Sequence, residues 1–147
     1  MKLPRRLLGR TGVVLDTMVF IYLFEDAPRF GPVCEFIVDQ AGLGRFQGVI
    51  TPVTAAEILV KPLRQNRPDL ADQYRFSLAN MKNIEPVGLP FEIGFLAAGL
   101  RAKYRMPLPD MVQAACALQS ETPTLITNDR SMRKVEELTV LLMEDFV

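Results

Sequence analysis

Four carboxylates stand where a parallel α/β protein presents side chains to a ligand. Asp16 and Asp129 each follow a short aliphatic or β-branched run that is typical of a buried strand. Because the carboxyl ends of parallel strands form the ligand-binding edge of such a sheet, we expect both acids at that edge. Glu57 and Asp110 fall in the early turns of predicted helices. We call Asp16, Glu57, Asp110 and Asp129 the acidic quartet.

Each member of the acidic quartet also has a purely structural explanation. Asp16 and Asp110 suit helix N-termini, and Asp129 suits a turn after a strand. Glu57 stands three residues after Thr54, which is the spacing of a capping box. The hypothesis of a site therefore depends on joint placement. Clustered like charges repel and raise one another's pKa unless a cation neutralises them, and oxygen ligands favour Mg²⁺ or Mn²⁺ over zinc.

The composition excludes several other kinds of site. The chain contains no histidine, which removes Ser-His-Asp and Cys-His catalysis and histidine-ligated zinc. Cys34 and Cys116 are its only cysteines, and they lack the spacing of a metal or redox motif. With 17 basic and 17 acidic residues, any nucleic-acid contact must come from a local patch. Carboxylates with a hard metal ion remain as the obvious tools for hydrolysis.

The apolar pattern predicts one α/β domain over residues 1–147, since 49% of the residues are hydrophobic. Predicted strands cover 13–15, 47–50, 83–87, 123–127 and 139–143, and predicted helices cover 18–24, 33–40, 52–61, 69–81, 90–104 and 110–119. Pro62 is expected to end the third helix, and residues 107–109 to break the chain between the last two. This alternation favours a three-layer α/β/α fold with a central, mainly parallel sheet of four or five strands.

The first 12 residues are predicted to form a basic N-terminal arm. They carry Lys2, Arg5, Arg6 and Arg10 ahead of an apolar stretch, as a signal peptide would. Asp16 interrupts that stretch and no small-residue cleavage site follows, which favours a cytoplasmic protein. No apolar run reaches the length of a membrane span, so no membrane association is expected.

The acids and their neighbours resemble the motifs of PIN-domain nucleases, from Val13 to about Leu142. The matching segments are Leu15-Asp16-Thr17, Thr54-Ala55-Ala56-Glu57, Leu108-Pro109-Asp110 and Thr127-Asn128-Asp129. One departure is Met18, where many family members have a small polar residue. The order and spacing of the four segments make this resemblance more specific than any one of them.

The resemblance implies a metal-dependent endoribonuclease that hydrolyses phosphodiesters to a 5′-phosphate and a 3′-hydroxyl. The acidic quartet would be catalytic and would hold one or two Mg²⁺ or Mn²⁺ ions. The residues expected to orient these ligands as a second layer are Thr17, Thr54, Thr127 and Asn128. The candidates for contact with the RNA substrate are Lys61, Arg64 and Arg130.

Among small members of the family, the resemblance is greatest to VapC-type toxins of toxin–antitoxin modules. It therefore implies a cognate antitoxin as partner, and a homodimer. Phe20, Phe24 and Phe30 could form an apolar groove for an antitoxin helix, or could simply fill the core. The alternatives are a stand-alone RNA-processing nuclease, a catalytically inactive binding module of the same fold, and a metal-dependent phosphatase. An Asp-x-Asp pair, which the phosphatase would need, is absent after the first strand.

Overall fold

The fold is built on a five-stranded sheet in which all neighbouring strands are parallel. A computed structural model describes the whole chain, Met1–Val147. The strands are β1 (Val13–Leu15), β2 (Gly48–Ile50), β3 (Ile84–Pro86), β4 (Thr124–Thr127) and β5 (Thr139–Leu142), arranged in the order β3-β2-β1-β4-β5. The short, almost wholly apolar central strands are buried, as expected for a sheet covered on both faces.

Helices cover both faces of the sheet. They are α1 (Thr17–Phe24), α2 (Gly31–Gly42), α3 (Pro52–Arg64), α4 (Pro68–Ala79), α5 (Glu92–Tyr104) and α6 (Leu108–Ala117). One core packs α1 to α4 against side chains such as Leu15 and Ile126. The other packs α5 and α6 against side chains such as Val14 and Leu125 on the opposite face. The predicted three-layer α/β/α fold with a parallel sheet is confirmed.

Two predicted helix boundaries at prolines are wrong. Helix α3 continues through Pro62 to Arg64, because Thr54, Ile58 and Pro62 form one buried row at i, i+4 and i+8. Packing of that row compensates for the hydrogen bond that Pro62 cannot donate. Helix α6 begins at Leu108 with Pro109 in its first turn, where no donor is needed.

The basic N-terminal segment packs against the rest of the chain. Arg5–Leu7 form a short 3-10 helix whose Leu7 is fully buried. The Lys2 amide donates to the carbonyl of Phe146 at 2.8 Å, and the Arg10 guanidinium donates to Thr124 Oγ1 at 2.7 Å. No helix in the structure has both the length and the apolarity to cross a membrane.

The strand order places a topological switch between β1 and β4. From β1 the chain adds β2 and β3 on one side, and then returns to add β4 and β5 on the other. The crossovers therefore leave in opposite directions at the carboxyl ends of β1 and β4, which opens a crevice there. Asp16 immediately follows β1, and its amide donates to the carbonyl of Ile126 in β4 at 2.9 Å.

Candidate active site

Asp16 is held at the switch point by hydrogen bonds to both carboxylate oxygens. It caps the N-terminus of α1, where Oδ1 accepts the amide of Thr17 at 2.9 Å. Oδ2 accepts the hydroxyl of Thr127, the last residue of β4, at 2.7 Å. The residue is only 9% exposed, so its carboxylate is both desolvated and fixed in direction. The N-cap interpretation is correct, and the same side chain still reaches the edge of the sheet.

Glu57 is tied to the start of α1 through a hydroxyl. The Oγ1 atom of Thr17 lies 2.8 Å from Oε1 of Glu57. The capping-box explanation of Glu57 is wrong, because the N-cap of α3 is Thr51 rather than Thr54, which places Glu57 in the second turn. An ion pair with its i+4 neighbour Lys61 also does not form, since Lys61 pairs with Glu25 at 2.7 Å.

Asp129 caps the short 3-10 helix Arg130–Lys134 after β4. Its Oδ1 accepts the amide of Ser131 at 2.9 Å and the hydroxyl of Ser131 at 2.6 Å. Its own amide donates to Thr127 Oγ1 at 3.1 Å. Thr127 therefore contacts the backbone of Asp129 and the carboxylate of Asp16 with one hydroxyl group, which fixes the two acids relative to each other.

The pKa of Asp110 is raised, in part by the charges of the other three acids. Partial burial in the first turn of α6 raises the pKa of its carboxyl group to about 6, and the negative charges of Asp16, Asp129 and Glu57 contribute to the rise. Because such repulsion fades with distance and with solvent screening, the acidic quartet must converge on one region. The structure thus brings together acids that the sequence separates by up to 113 positions, from Asp16 to Asp129.

The acidic quartet is better suited to a metal ion that keeps some of its water ligands than to one that is coordinated by protein side chains alone. No group of three or more acidic or cysteine side chains is already arranged to hold a metal directly. Its donors are all carboxylate oxygens, and Mg²⁺ commonly keeps several waters while binding one or two carboxylates. The raised pKa of Asp110 also means that a nearby cation would favour the ionised form of its carboxyl group. The residues present therefore fit a Mg²⁺ or Mn²⁺ ion bound partly through water.

A buried chain of hydrogen bonds, which was not predicted from the sequence, leads from Gln113 to Glu57 and is called the polar relay. Gln113 is 1% exposed; its Oε1 accepts the Thr51 hydroxyl at 2.6 Å and its Nε2 donates to Thr54 Oγ1 at 2.9 Å. Thr54 in turn lies 3.1 Å from Thr17 Oγ1. Because the one hydroxyl proton of Thr17 goes to Glu57, the Thr54 hydroxyl donates to Thr17. The available signal was a polar residue three positions after Asp110 in an otherwise apolar helix.

Asn128 differs from the other residues of the predicted second layer. Its side-chain amide donates to the hydroxyl of Tyr22 at 3.4 Å rather than to a carboxylate. Thr17, Thr54 and Thr127 do lie in the hydrogen-bond chains that orient Asp16 and Glu57. The side chain of Asn128 thus links the end of β4 to α1 and does not contact the acidic quartet by a hydrogen bond.

The predicted substrate cations are engaged to different degrees. Lys61 is in its ion pair with Glu25, and Arg130 pairs with Glu144 at 2.5 Å. Both pairs are solvent-exposed and each contributes little to stability. Arg64 is exposed at the end of α3 and forms no ion pair. Of the three side chains, only that of Arg64 is free of an ion pair within the chain.

A partly apolar groove of about 270 Å³ opens beside Glu57, between α1, α3 and α4. It is lined by Ile21, Phe24, Glu25, Glu57, Ile58, Lys61, Pro62, Gln65, Leu70 and Tyr74. Phe24 stacks on Tyr74 with ring centroids 4.8 Å apart. Phe20 is fully buried in the core, which confirms for this residue the alternative that it fills the core and does not line the groove. Phe30 instead lines a second cavity, which contains Asp129.

Comparison with solved structures shows the same fold in several complexes. VapBC2 from Rickettsia felis, bound to a DNA fragment from its promoter, gives a TM-score of 0.72 at 14% identity, covering 90% of this chain and 98% of that one. FitAcB from Neisseria gonorrhoeae gives 0.67 at 17% identity, covering 90% and 98%. A toxin–antitoxin complex from Klebsiella pneumoniae gives 0.64 at 18% identity, covering 86% and 95%. At these identities the likeness is one of fold.

The sequence itself identifies the family. No curated protein matches the chain. The family model of the PIN domain matches residues 13–138, which include every member of the acidic quartet. The match confirms the family that the four motifs predicted. The chain therefore belongs to the PIN domain family.

Proposed function

We propose that the protein is a metal-dependent endoribonuclease and the toxin of a type II toxin–antitoxin pair. The observation that carries the enzymatic part is the hydrogen-bonded arrangement of the acids: Thr127 joins Asp16 to Asp129, and Thr17 contacts Glu57. The pKa of Asp110, which partial burial and the charges of the other three acids raise, agrees with this arrangement. Four acids at the switch point of a parallel sheet form a strongly negative crevice, which attracts a divalent cation and, through it, a phosphodiester. The PIN family match supports this assignment.

In the proposed enzyme the acidic quartet would hold one or two Mg²⁺ or Mn²⁺ ions. When bound, such an ion lowers the pKa of a water and offsets the charge of the phosphate. Asp16 and Glu57 enter the site already oriented by Thr127 and Thr17, so little reorganisation is required. Asp110 has no side-chain ion pair to break, and a bound cation would lower its raised pKa and so favour its ionised form.

An antitoxin partner is proposed on the basis of the fold shared with the toxin–antitoxin complex from Klebsiella pneumoniae and of the groove beside Glu57. Apolar and aromatic side chains, among them Phe24, Leu70 and Tyr74, line the groove together with charged ones. An amphipathic helix with apolar anchors fits such a groove, and it would extend towards the acidic quartet past Glu57. We further propose that the protein forms a homodimer. We also propose that it is located in the cytoplasm, where its RNA substrate is present.

The enzymatic proposal is tested by end analysis of the cleaved RNA. Purified protein is incubated with labelled RNA and Mn²⁺, and the expected products carry a 5′-phosphate and a 3′-hydroxyl. Asp16→Asn should abolish cleavage, whereas Asp69→Asn, an exposed acid paired with Arg67, should leave it unchanged. Cleavage in the presence of EDTA, with 2′,3′-cyclic ends, would contradict the proposal. Mn²⁺ binding without cleavage of any RNA would favour a binding module.

The partner is tested by coexpression with the protein encoded in the adjacent reading frame. Copurification is expected for the native chain, and Tyr74→Ala should reduce it because the stacked wall of the groove is lost. Phe76→Ser, a change at an exposed position of the same helix, serves as the control. Equal copurification of both variants would exclude this groove as the antitoxin site.

A further inference from the structure

The second cavity, of about 540 Å³, adjoins the acidic quartet because Asp129 forms part of its wall. The wall is built from the start of α1, the loop between α1 and α2, and the segments around the ends of β4 and β5. Its volume lies within the range of about 300–1,000 Å³ that is usual for ligand sites. We call it the Asp129 cavity, and its walls include Met18, Arg29, Phe30, Asn128, Asp129 and Arg130.

Arg29 is a cation that the fold holds in place at the wall of the Asp129 cavity. Its guanidinium carbon lies 4.8 Å from the centre of the Phe30 ring, and that ring packs on the ring of Tyr22 with centroids 5.4 Å apart. Arg29 is exposed and forms no ion pair within the chain. A guanidinium that stacks on an aromatic ring still offers the N–H groups at its edge. Arg29 is therefore arranged to bind an anion such as a phosphate.

The ion pair of Arg130 and Glu144 provides a second guanidinium at the same cavity. The two side chains are 70% and 50% exposed, so the pair is solvated and contributes little to stability. A phosphate can therefore replace Glu144 as the partner of Arg130 at a small cost in free energy. Together with Arg29, this residue gives the cavity two contacts for the phosphates of a nucleic-acid strand.

The uncharged side chains of the Asp129 cavity are suited to a nucleobase. Met18 is 37% exposed although it is apolar, and Phe30 contributes a half-buried aromatic ring. Thioether and aromatic groups both pack favourably against flat rings. Asn128 is half-buried directly after β4, and its contact with the Tyr22 hydroxyl orients its amide. An amide offers a donor and an acceptor side by side, which is the combination that binds the edge of a base.

We propose that the Asp129 cavity binds one unpaired nucleotide of the RNA substrate, next to the phosphodiester that is cleaved. Arg29 binds the phosphate of this nucleotide, and Met18 and Phe30 contact its base. The nucleotide is unpaired because a base within a duplex is stacked on its neighbours and cannot turn into a cavity. Asp129 belongs both to the cavity wall and to the acidic quartet, which sets the nucleotide beside the metal site. This inference rests on the proposed ribonuclease and adds a specificity site to it.

The methyl resonances of the methionines test the nucleotide site without any need for cleavage. AMP, GMP, CMP and UMP contain no phosphodiester, and each is titrated in Mg²⁺ into native protein that carries ¹³C-methyl methionine. At least one of them should shift the Met18 signal, which Met18→Leu assigns, and leave the signal of the exposed Met1 unchanged. Ribose 5-phosphate should bind at least about fivefold more weakly, because it lacks the base. No shift at Met18, an equal shift at Met1, or equal binding of ribose 5-phosphate would overturn the proposal.

Charge variants in the same titration test the two phosphate contacts. Arg29→Gln should weaken nucleotide binding by about tenfold, as for the loss of a hydrogen bond to a charged group, whereas Arg45→Gln ahead of β2, at the opposite edge of the sheet, should not. Glu144→Gln releases Arg130 and should strengthen binding severalfold. Glu121→Gln removes the same charge at the opposite edge and is its control. Native affinity in both Arg29→Gln and Glu144→Gln would overturn the proposed phosphate contacts.

Competition with RNA separates this inference from the nuclease proposal. The nucleotide that binds best should inhibit RNA cleavage as it fills the cavity, and Arg29→Gln should raise the KM for RNA more than it lowers kcat. A nucleotide that fills the cavity without inhibiting cleavage would overturn the RNA site and leave the nuclease. Nucleotide binding at Met18 in a chain that cleaves no RNA would refute the nuclease and leave a site for free nucleotides. A Met18 signal that responds only to a copurified partner protein would assign the cavity to that partner and overturn the inference.

Discussion

The hydroxyl of Thr127 donates a hydrogen bond to Oδ2 of Asp16 at 2.7 Å, across 111 positions of sequence. The Oγ1 atom of Thr127 also accepts a hydrogen bond from the amide of Asp129 at 3.1 Å. One buried side chain thus connects the ends of β1 and β4, where the strand order reverses. This connection holds two acids in place in spite of their mutual repulsion, and it accounts for a threonine at the end of β4.

Replacing Thr127 with valine should weaken metal binding without removing a carboxylate. Valine keeps the volume but loses both hydrogen bonds, so we expect Mn²⁺ affinity to fall by about 10–100-fold, as for other residues that orient ligands. Isothermal titration calorimetry provides the measurement. Thr139→Val at the start of β5, where the hydroxyl makes no hydrogen bond, is the control. Unchanged affinity in Thr127→Val would show that this hydroxyl does not organise the site.

Metal affinity should depend on pH through the carboxyl group of Asp110. Burial and the neighbouring acids raise its pKa to about 6, so the group carries a proton in mildly acidic solution and does not bind a cation. Mn²⁺ affinity should therefore rise as the pH increases through about 6. In Asp110→Asn this dependence should disappear and the affinity should stay low. A native affinity that is flat between pH 5 and 7 would contradict this role of Asp110.

Without metal, the ionised form of Asp110 should destabilise the fold. Its pKa is raised from 3.8 to about 6 on folding, so the folded state binds the proton more tightly, and stability is lost as the pH rises between these two values. Asp110→Asn should accordingly stabilise the metal-free protein at pH 8 by about 1–2 kcal/mol, a figure reduced for partial exposure.

Urea denaturation in EDTA at several pH values measures this effect. The difference in unfolding free energy between Asp110→Asn and the native protein should shrink as the pH falls through about 6 towards 3.8. Over this range the Asp110 carboxyl group is protonated first in the folded state and then in the unfolded state. Added Mn²⁺ should reverse the order, because only the native site then gains binding free energy. A variant that is less stable than the native protein at pH 8 in EDTA would show that Asp110 makes stabilising contacts.

Replacing Gln113 with leucine should break the relay that orients Glu57. The hydroxyl groups of Thr51 and Thr54 are buried, and Gln113 contacts both. Loss of its polar groups should cost about 2–3 kcal/mol of unfolding free energy, since each buried hydroxyl loses a partner. Urea denaturation measures the loss, and Gln119→Leu at the exposed end of the same segment is the control. An equally stable Gln113→Leu would mean that the hydroxyl groups find other partners.

The predictable part of the site is the part encoded locally. Asp16 and Asp129 each follow a short apolar run, and parallel strands present their carboxyl ends at one edge, so their meeting follows from the sequence. The five strands and six helices are likewise visible in the apolar pattern. The boundaries at Pro62 and Leu108 are not, because buried packing and first-turn tolerance override the usual effect of proline.

The part that could not be predicted depends on contacts between distant residues. Gln113 forms a hydrogen bond with Thr51, which lies 62 positions away in the sequence, and Lys61 pairs with Glu25, which lies 36 positions away. Both pairs arise only after helices from different parts of the chain pack on the sheet. The cap of α3, by contrast, is encoded locally, because Thr51 directly precedes the predicted helix at Pro52 and the structure confirms it as the cap.

The most direct test of the account is a Mn²⁺ titration followed by electron paramagnetic resonance at pH 8. The central claim is that Asp16, Glu57, Asp110 and Asp129 act together on a divalent ion at the switch point. The native protein should bind one or two ions, and Asp16→Asn and Asp129→Asn should each weaken binding, with Asp69→Asn unchanged. Equal binding by the native protein and by the combined Asp16→Asn and Asp129→Asn variant would contradict the account.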